Sequence, residues 1–308
     1  MNLSETTDSS DINHVDIHTG SGNFLIEGGH GHKEKLITVF YHKPENFTSQ
    51  SRILIIVPGS GRDGGKYRDA WVEASEKYSV LILSPAYKEH DYGFEDYHMG
   101  AVIEQSNMLN QVTFMENSNI VELDEEGLTF QINSTERKWI FNDFDRMFES
   151  VAIAVGSSQE SYDMFGHSAG GQILHRLVLF HPDTKANRIL ASNSGFYTLP
   201  DFNTELPFGL KNTPVDKRSL RTSFKKHLVL FIGEMDNEHE TGGIMLRSPT
   251  VDEQGTHRLE RSQYFYKKAK ETAKELEAGF NWKLRIVPDV GHNFKRMSEA
   301  AAKYLYRE

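Results

Sequence analysis

Short apolar runs, each closed by Gly, Pro, Asn or Ser, recur at residues 53–57, 80–83, 162–165, 189–191, 227–232 and 283–287. Runs of this length read as strands buried on both faces, and the helical patterns that follow them predict a mostly parallel sheet covered by helices. Residues 23–27 and 35–41 alternate apolar with polar positions and predict an antiparallel pair at one edge, which brings the sheet to eight strands. Between the runs, apolar residues recur at three- and four-residue spacings. Residues 67–78 put Trp71, Ala74 and Ser75 on one helical face, and residues 140–155 align Ile140, Phe144, Met147, Phe148, Val151 and Val155. Further helices are predicted over 172–180, 259–278 and 296–306.

Residues 88–138 break this rhythm. Val112, Phe114, Ile120, Val121, Leu128, Phe130 and Ile132 alternate with polar positions around a Glu-Glu-Gly turn at 125–127. The segment reads as an inserted, β-rich excursion that either decorates the surface or forms part of a lid. A single domain over 23–308 carrying this insertion follows, preceded by a polar, flexible segment at 1–22.

Composition narrows the function. The chain has 308 residues, 38% of them hydrophobic, enough for a large core. Acidic residues outnumber Lys and Arg by 44 to 34, a net charge of -10 that argues against nucleic acid as a partner. The longest aliphatic runs (53–57, 151–155 and 228–232) have the length of buried strands and are far short of the roughly 20 residues needed for a membrane span. The N-terminus has no basic region followed by an apolar stretch, so a cytoplasmic location is expected. The chain has no Cys, which removes disulfides, thiolate metal sites and cysteine nucleophiles, and leaves Ser, Thr, Lys or a carboxylate for any covalent chemistry.

Gly166-His167-Ser168-Ala169-Gly170 matches G-x-S-x-G, the tight strand-to-helix turn that displays a serine hydroxyl. It follows the strand at 162–165 and opens a helix, which is the context the motif requires. Serine is a poor nucleophile at neutral pH and needs a base oriented by a carboxylate, in the chain order Ser, acid, His. His292, in the loop after the last strand, is the best-placed base. Asp236, directly after the strand at 228–232, is the favoured acid, with Glu234 and Glu238 in the same loop. An oxyanion needs two backbone donors. Ala169 supplies one, and the loop Pro58-Gly59-Ser60-Gly61-Arg62 supplies the other, from Ser60 or alternatively Gly61. A Walker phosphate cradle fails at Tyr67, which stands where the motif requires Ser or Thr after Gly65-Lys66.

The elbow, the Pro-Gly-Ser-Gly-Arg loop, the Gly-x-x-Asp turn and the terminal Gly-His together resemble the α/β-hydrolase superfamily over most of residues 35–308. Within it, PGSGRDGGKYRDAW at 58–71 with GHSAGG at 166–171 is similar to the poly(3-hydroxybutyrate) depolymerase and feruloyl-esterase-like branch, although secreted relatives often carry disulfides and this chain cannot. The resemblance implies an α/β-hydrolase fold and a serine esterase that passes through an acyl-enzyme. Ser168, Asp236 and His292 would be its triad and Ser60 and Ala169 its oxyanion hole, and it would take a small-molecule or oligomeric ester with no metal or organic cofactor. Gly61, His167 and the pair Phe196 and Tyr197, after the strand at 189–191, border this region and are expected to line the substrate site. Peptidase or acyltransferase chemistry would use the same residues, and a non-catalytic binding protein could occupy the same scaffold. His30 and His32, with His14 and His18 upstream, read as a solvated loop rather than a metal site. The aromatic stretch around His90, Asp91, Asp96 and His98 reads equally as pocket lining or packing.

Overall fold

The computed structural model describes residues 15–307. The first half of the chain supplies β1 (Gly20–Glu27), β2 (Leu36–Lys43), β3 (Ile53–Val57), the short helices α1 (Gly64–Asp69) and α2 (Val72–Tyr78), and β4 (Leu81–Tyr87). An excursion follows, with α3 (Phe94–Tyr97), β5 (Ile103–Glu104), β6 (Val112–Phe114), β7 (Ile120–Leu123) and β8 (Gln131–Ile132). The chain then returns through α4 (Phe141–Ala154), β9 (Tyr162–His167), α5 (Ala169–Phe180), β10 (Ala186–Ser192), α6 (Lys217–Lys225) and β11 (His227–Gly233). It ends with β12 (Met245–Arg247), α7 (Pro249–Asp252), α8 (Arg258–Glu275), β13 (Lys283–Val287) and α9 (Phe294–Tyr306).

Eight of these strands form one sheet in the order β1-β2-β4-β3-β9-β10-β11-β13. β1 and β2 pair antiparallel, as do β2 and β4, and every later pairing is parallel. All five residues of β3 are buried because side chains alternate between two covered faces. Ile53, Ile55 and Val57 join the core beneath α4, α5 and α8, while Leu54 and Ile56 join the core beneath α9 and α2. β11 divides in the same way, Leu228 and Leu230 to one side and Val229 and Phe231 to the other. After β3 the chain first adds β4 on one side and later β9 on the other. The loops leaving β3 and β9 therefore diverge, opening a crevice at the carboxyl ends of the strands, where open α/β sheets bind ligands.

Several boundaries differ from the pattern-based expectation. Residues 1–14 of the N-terminal segment lie outside the described residues. Of the remainder, Ile17 is buried and β1 begins at Gly20, three residues before the alternation becomes visible. The helix expected over 67–78 is two helices. α1 starts earlier, where the Asp63 side chain accepts from the Lys66 N–H, and the break falls at Trp71, whose indole is fully buried against Phe165 with ring centroids 5.4 Å apart. β4 runs on through Pro85, which the sheet tolerates because β3 accompanies β4 only as far as Leu83. The run at 151–155 is not a strand but the end of α4. α6 was not anticipated, because its sequence is mostly polar and only Leu220, Ser223 and Phe224 turn inward.

The excursion makes two small sheets rather than one. β5 pairs with β8, and β6 and β7 form a hairpin whose tip is at 115–119 with Asn117 in the left-handed region; the Glu-Glu-Gly turn instead connects β7 towards β8. β12 adds to the hairpin in parallel with β7, so chain that follows β11 is tied to the insertion. Among the described residues, no helix is long and apolar enough to cross a membrane.

Trp71 joins the two short helices to the sheet. Its replacement by Ala is expected to cost about 3–5 kcal/mol, read from the urea midpoint. A loss below about 1 kcal/mol would mean that the indole is not a keystone of this face.

Candidate active site

β9 and α5 meet at Ser168, whose φ of 59° and ψ of -116° put a non-glycine residue in strained backbone. The strain persists because its surroundings hold it. The Ser168 N–H donates to the Ser192 carbonyl at 2.9 Å, and the Gln172 N–H returns to the Ser168 carbonyl at 3.0 Å. The flanking glycines have a steric reason: a Cβ on Gly166 would strike the Gly170 carbonyl, and one on Gly170 would strike the Val57 carbonyl of β3. Strand, elbow and helix can approach this closely only without side chains at those two positions.

The Ser168 hydroxyl lies at the floor of a cleft of about 310 Å³. Ser60, Arg62, Ala169, Gln172 and His98 also line the cleft, and its walls are apolar: Met108, Leu109, Val112, Phe114 and Val121 from the excursion, Phe196 after β10, and Ile244 and Leu246 around β12. The backbone N–H groups of Ser60, Gly61 and Ala169 donate to no group among the described residues. Ala169 also opens the 12-residue α5, whose N-terminal dipole favours negative charge at this spot.

His292 follows β13. Its Nδ1 is 2.8 Å from Asp236 Oδ2, its backbone N–H donates to Glu240 Oε2 at 2.6 Å, and its ring lies 4.6 Å from that of His167, the residue before Ser168. Its Nε2 faces the backbone of Gly243, where an added Cβ would come within 2.6 Å. In this conformation Ser168 Oγ makes no hydrogen bond among the described residues.

Asp236 is buried, and the partners of its carboxylate all come from other elements. Its Oδ1 accepts from Arg258 Nη1 at 2.9 Å; its Oδ2 accepts from Asn193 Nδ2 at 2.6 Å as well as facing His292. Burial pushes this carboxyl up, but the bond to His292, the Arg258 guanidinium and the Asn193 amide outweigh it and hold the pKa at about 2. Burial pushes His292 below the usual histidine value and Arg258 acts in the same direction, against the pull of Asp236. The imidazole is therefore neutral at pH 7, with its Nδ1 proton directed at the carboxylate. Of the other acids of this loop, Glu234 and Glu238 make no contact with His292 among the described residues, while Glu240 accepts from its backbone N–H.

Other anticipated residues are placed differently. His167 is buried between His292, Phe294 and Tyr67, whose hydroxyl is 3.3 Å from its Nδ1. Strand alternation sends it to the same side as Phe165, away from the cleft. Tyr197 is in the core rather than the cleft, stacked on Phe265 at 4.6 Å with its hydroxyl 2.7 Å from Ser262 Oγ; its neighbour Phe196 is the one that lines the cleft. Gly61 is exposed between two lining residues. The aromatic stretch divides: Phe94 and His98 line the cleft, while Tyr87, Tyr92 and Tyr97 are buried around Arg62. His32 is not solvated but buried beside Tyr92, 3.9 Å from Asp96. The described residues hold no group of three or more His, Asp or Glu arranged to bind a metal ion.

Sequence reasoning missed Asn193 and Arg258. Asn193 had a signal, since it directly follows β10 at the carboxyl edge of the sheet. Arg258 had none, lying in a helix start that reads as solvated.

The sheet order and the elbow at the end of β9 define an α/β-hydrolase. Poly(aspartic acid) hydrolase-1 from Sphingomonas sp. KT-1 is similar at 34% identity and a TM-score of 0.79, over 95% of this chain and 100% of that one, and the chain belongs with it to the α/β-hydrolase family of serine hydrolases. LpqC, a poly(3-hydroxybutyrate) depolymerase from Bordetella parapertussis, shares the fold at 24% identity and a TM-score of 0.78, over 94% of this chain and 90% of that one. Siderophore hydrolase EstA from Aspergillus nidulans shares it at 11% identity and a TM-score of 0.52, over 95% and 98%. No protein-family model matches the chain, and neither does any curated protein.

Gly243 has a φ of +67° and leaves space for His292 Nε2. Gly243→Ala is expected to lower kcat by about tenfold or more while the far-ultraviolet circular dichroism stays unchanged; wild-type kcat would show that this strap does not border the working face of the imidazole.

Proposed function

We propose that the protein is a serine hydrolase that cleaves carboxylic esters through an acyl-enzyme. The observation that carries the reading is a cleft-lining serine in a strained elbow whose preceding residue, His167, lies 4.6 Å ring to ring from a neutral histidine whose Nδ1 is held by a buried, ionised aspartate. Ser168 Oγ attacks the ester carbonyl as His292 Nε2 takes its proton, and Asp236 stabilises the imidazolium that forms. The N–H groups of Ala169 and of Ser60 hold the oxyanion. Collapse breaks the bond to the alcohol oxygen, which leaves with the proton from His292. Water, deprotonated by His292, then attacks the acyl-enzyme and releases the acid. The apolar walls favour an uncharged alkyl or aryl group on at least one side of the ester.

A second reading, amide hydrolysis of an anionic polymer, is favoured by two observations besides the relative named for poly(aspartic acid). Arg62 in the cleft donates to the Tyr87, Tyr92 and Gly93 carbonyls and has Glu89, which also lines the cleft, and Asp96 as neighbouring charges, while Arg176 beneath Phe196 bonds Thr198 and the His98 carbonyl; neither is hydrogen-bonded to a carboxylate. Buried cations of this kind favour a negative group nearby.

Turnover of p-nitrophenyl esters of increasing chain length, beside poly(aspartic acid), separates the two readings. Wild type is expected to hydrolyse the esters, and Ser168→Ala to lose on the order of 10⁴-fold in kcat or more. Ester turnover surviving in Ser168→Ala would contradict the serine mechanism, and release of fragments from poly(aspartic acid) alone would favour the second substrate.

His292 must be neutral to act as the base, and its pKa lies below 6.5. Activity should therefore persist below pH 6.5 and fall as the imidazole protonates at lower pH. An acidic limb of kcat/KM centred above 6.5 would contradict this account of the site's electrostatics.

A further inference from the structure

A buried carboxylate that points one oxygen at a histidine must still satisfy the other. Here the donor to that second oxygen is a full cation. Arg258 opens α8 and is 2% exposed. Its Nη1 donates to Asp236 Oδ1 at 2.9 Å and its Nη2 to the Ile244 carbonyl at 2.8 Å, while the Leu259 N–H donates to the Asp236 carbonyl at 3.0 Å. One side chain thus spans the acid and the strap that forms a wall of the cleft.

The strap is itself fixed from the far side. β12 pairs with β7, Asn119 Nδ2 donates to the Gly243 carbonyl at 3.0 Å, and Glu125 accepts from the Thr250 N–H and hydroxyl at 2.9 and 2.6 Å. Ile244 and Leu246 line the cleft on this strap. Arg261, one turn further along α8, also holds the strap through the Leu246 carbonyl at 2.8 Å, but among the described residues Arg258 is the side chain that hydrogen-bonds both the Asp236 carboxylate and the strap.

We infer that Arg258 is a positioning residue of this hydrolase: it locks the Asp236 carboxylate towards His292, registers the cleft wall to it, and sets the charge that the His292 base feels. The inference rests on the ester-hydrolase reading of Ser168, His292 and Asp236. Four groups determine the charge balance at His292: Asp236 on Nδ1, Arg258 behind that carboxylate, Glu240 on the His292 N–H, and the His167 ring alongside. His167 is held neutral by burial, so it contributes no charge near pH 7. Asp236 and Glu240 favour the imidazolium; Arg258 opposes it, keeping the base free at lower pH and the acid ionised.

The test is the pH profile of kcat/KM for one p-nitrophenyl ester with wild type, Ser168→Ala, Arg258→Gln and Arg258→Lys, each also followed by thermal melting. Arg258→Gln keeps hydrogen-bonding capacity but loses the charge. Its acidic limb is expected to move up by about 0.5–1 pH unit, and kcat to fall about tenfold, a part of what general-base catalysis contributes. Arg258→Lys keeps the charge and should hold the limb within about 0.3 unit of wild type. A Gln variant with the wild-type limb, or a Lys variant displaced as far as Gln, overturns the inference. If the Gln variant is unfolded at the assay temperature, all variants are compared at the highest temperature at which its melting curve shows it folded, and the Gln limb against wild type decides there. Residual activity in Ser168→Ala would instead fault the ester-hydrolase reading itself, so the two failures are separable.

Discussion

The site depends on one buried carboxylate. Asp236 sits where the end of β10, the start of α8 and the loop after β13 converge, and each supplies a donor: Asn193, Arg258 and His292. An isolated ionised carboxylate would cost several kcal/mol to bury. With three partners it stays charged, and that charge selects the imidazole tautomer in which Nδ1 carries the proton and Nε2 is free to accept one. Removing any one of these partners would leave a buried polar group short of a bond, so the three elements are held in register by the chemistry they present.

The sheet's topology determines where this carboxylate can act. β3 and β9 are neighbours whose following loops leave in different directions, and Ser60 and Ser168 both line the same cleft. The close approach at Gly170 and Val57 brings the ends of β3 and β9 together without any side chain between them. The excursion at 88–138 adds the apolar walls, and through β7 and β12 it is joined to the same stretch of chain that carries the acid. The cleft walls and the surroundings of Asp236 are therefore mechanically linked.

The parts legible in the sequence are those governed by local rules. β3, β9 and β11 are buried on both faces and so read as unbroken apolar runs, and the elbow reads because its glycines are steric necessities. Asp236 and His292, proposed from chain order and strand ends, lie 2.8 Å apart in the structure. What remained hidden was set by tertiary packing. Trp71 breaks a helix that its spacing would continue, α6 buries too few residues to show a period, and His167 and Tyr197 turn into the core although they neighbour the cleft in sequence. Arg258 was hidden most completely, because a basic residue at the start of a polar helix looks solvated until its carboxylate partner, 22 residues earlier, is brought against it.

The central claim is that Ser168 is the residue that becomes acylated. Its most direct test is peptide-mapped mass spectrometry after treatment with a fluorophosphonate, which captures only a serine activated within an assembled site. The account requires a single phosphonyl adduct on the peptide containing Gly166-His167-Ser168, absent from denatured protein. No adduct on the native protein, or an adduct on a different serine, would contradict it.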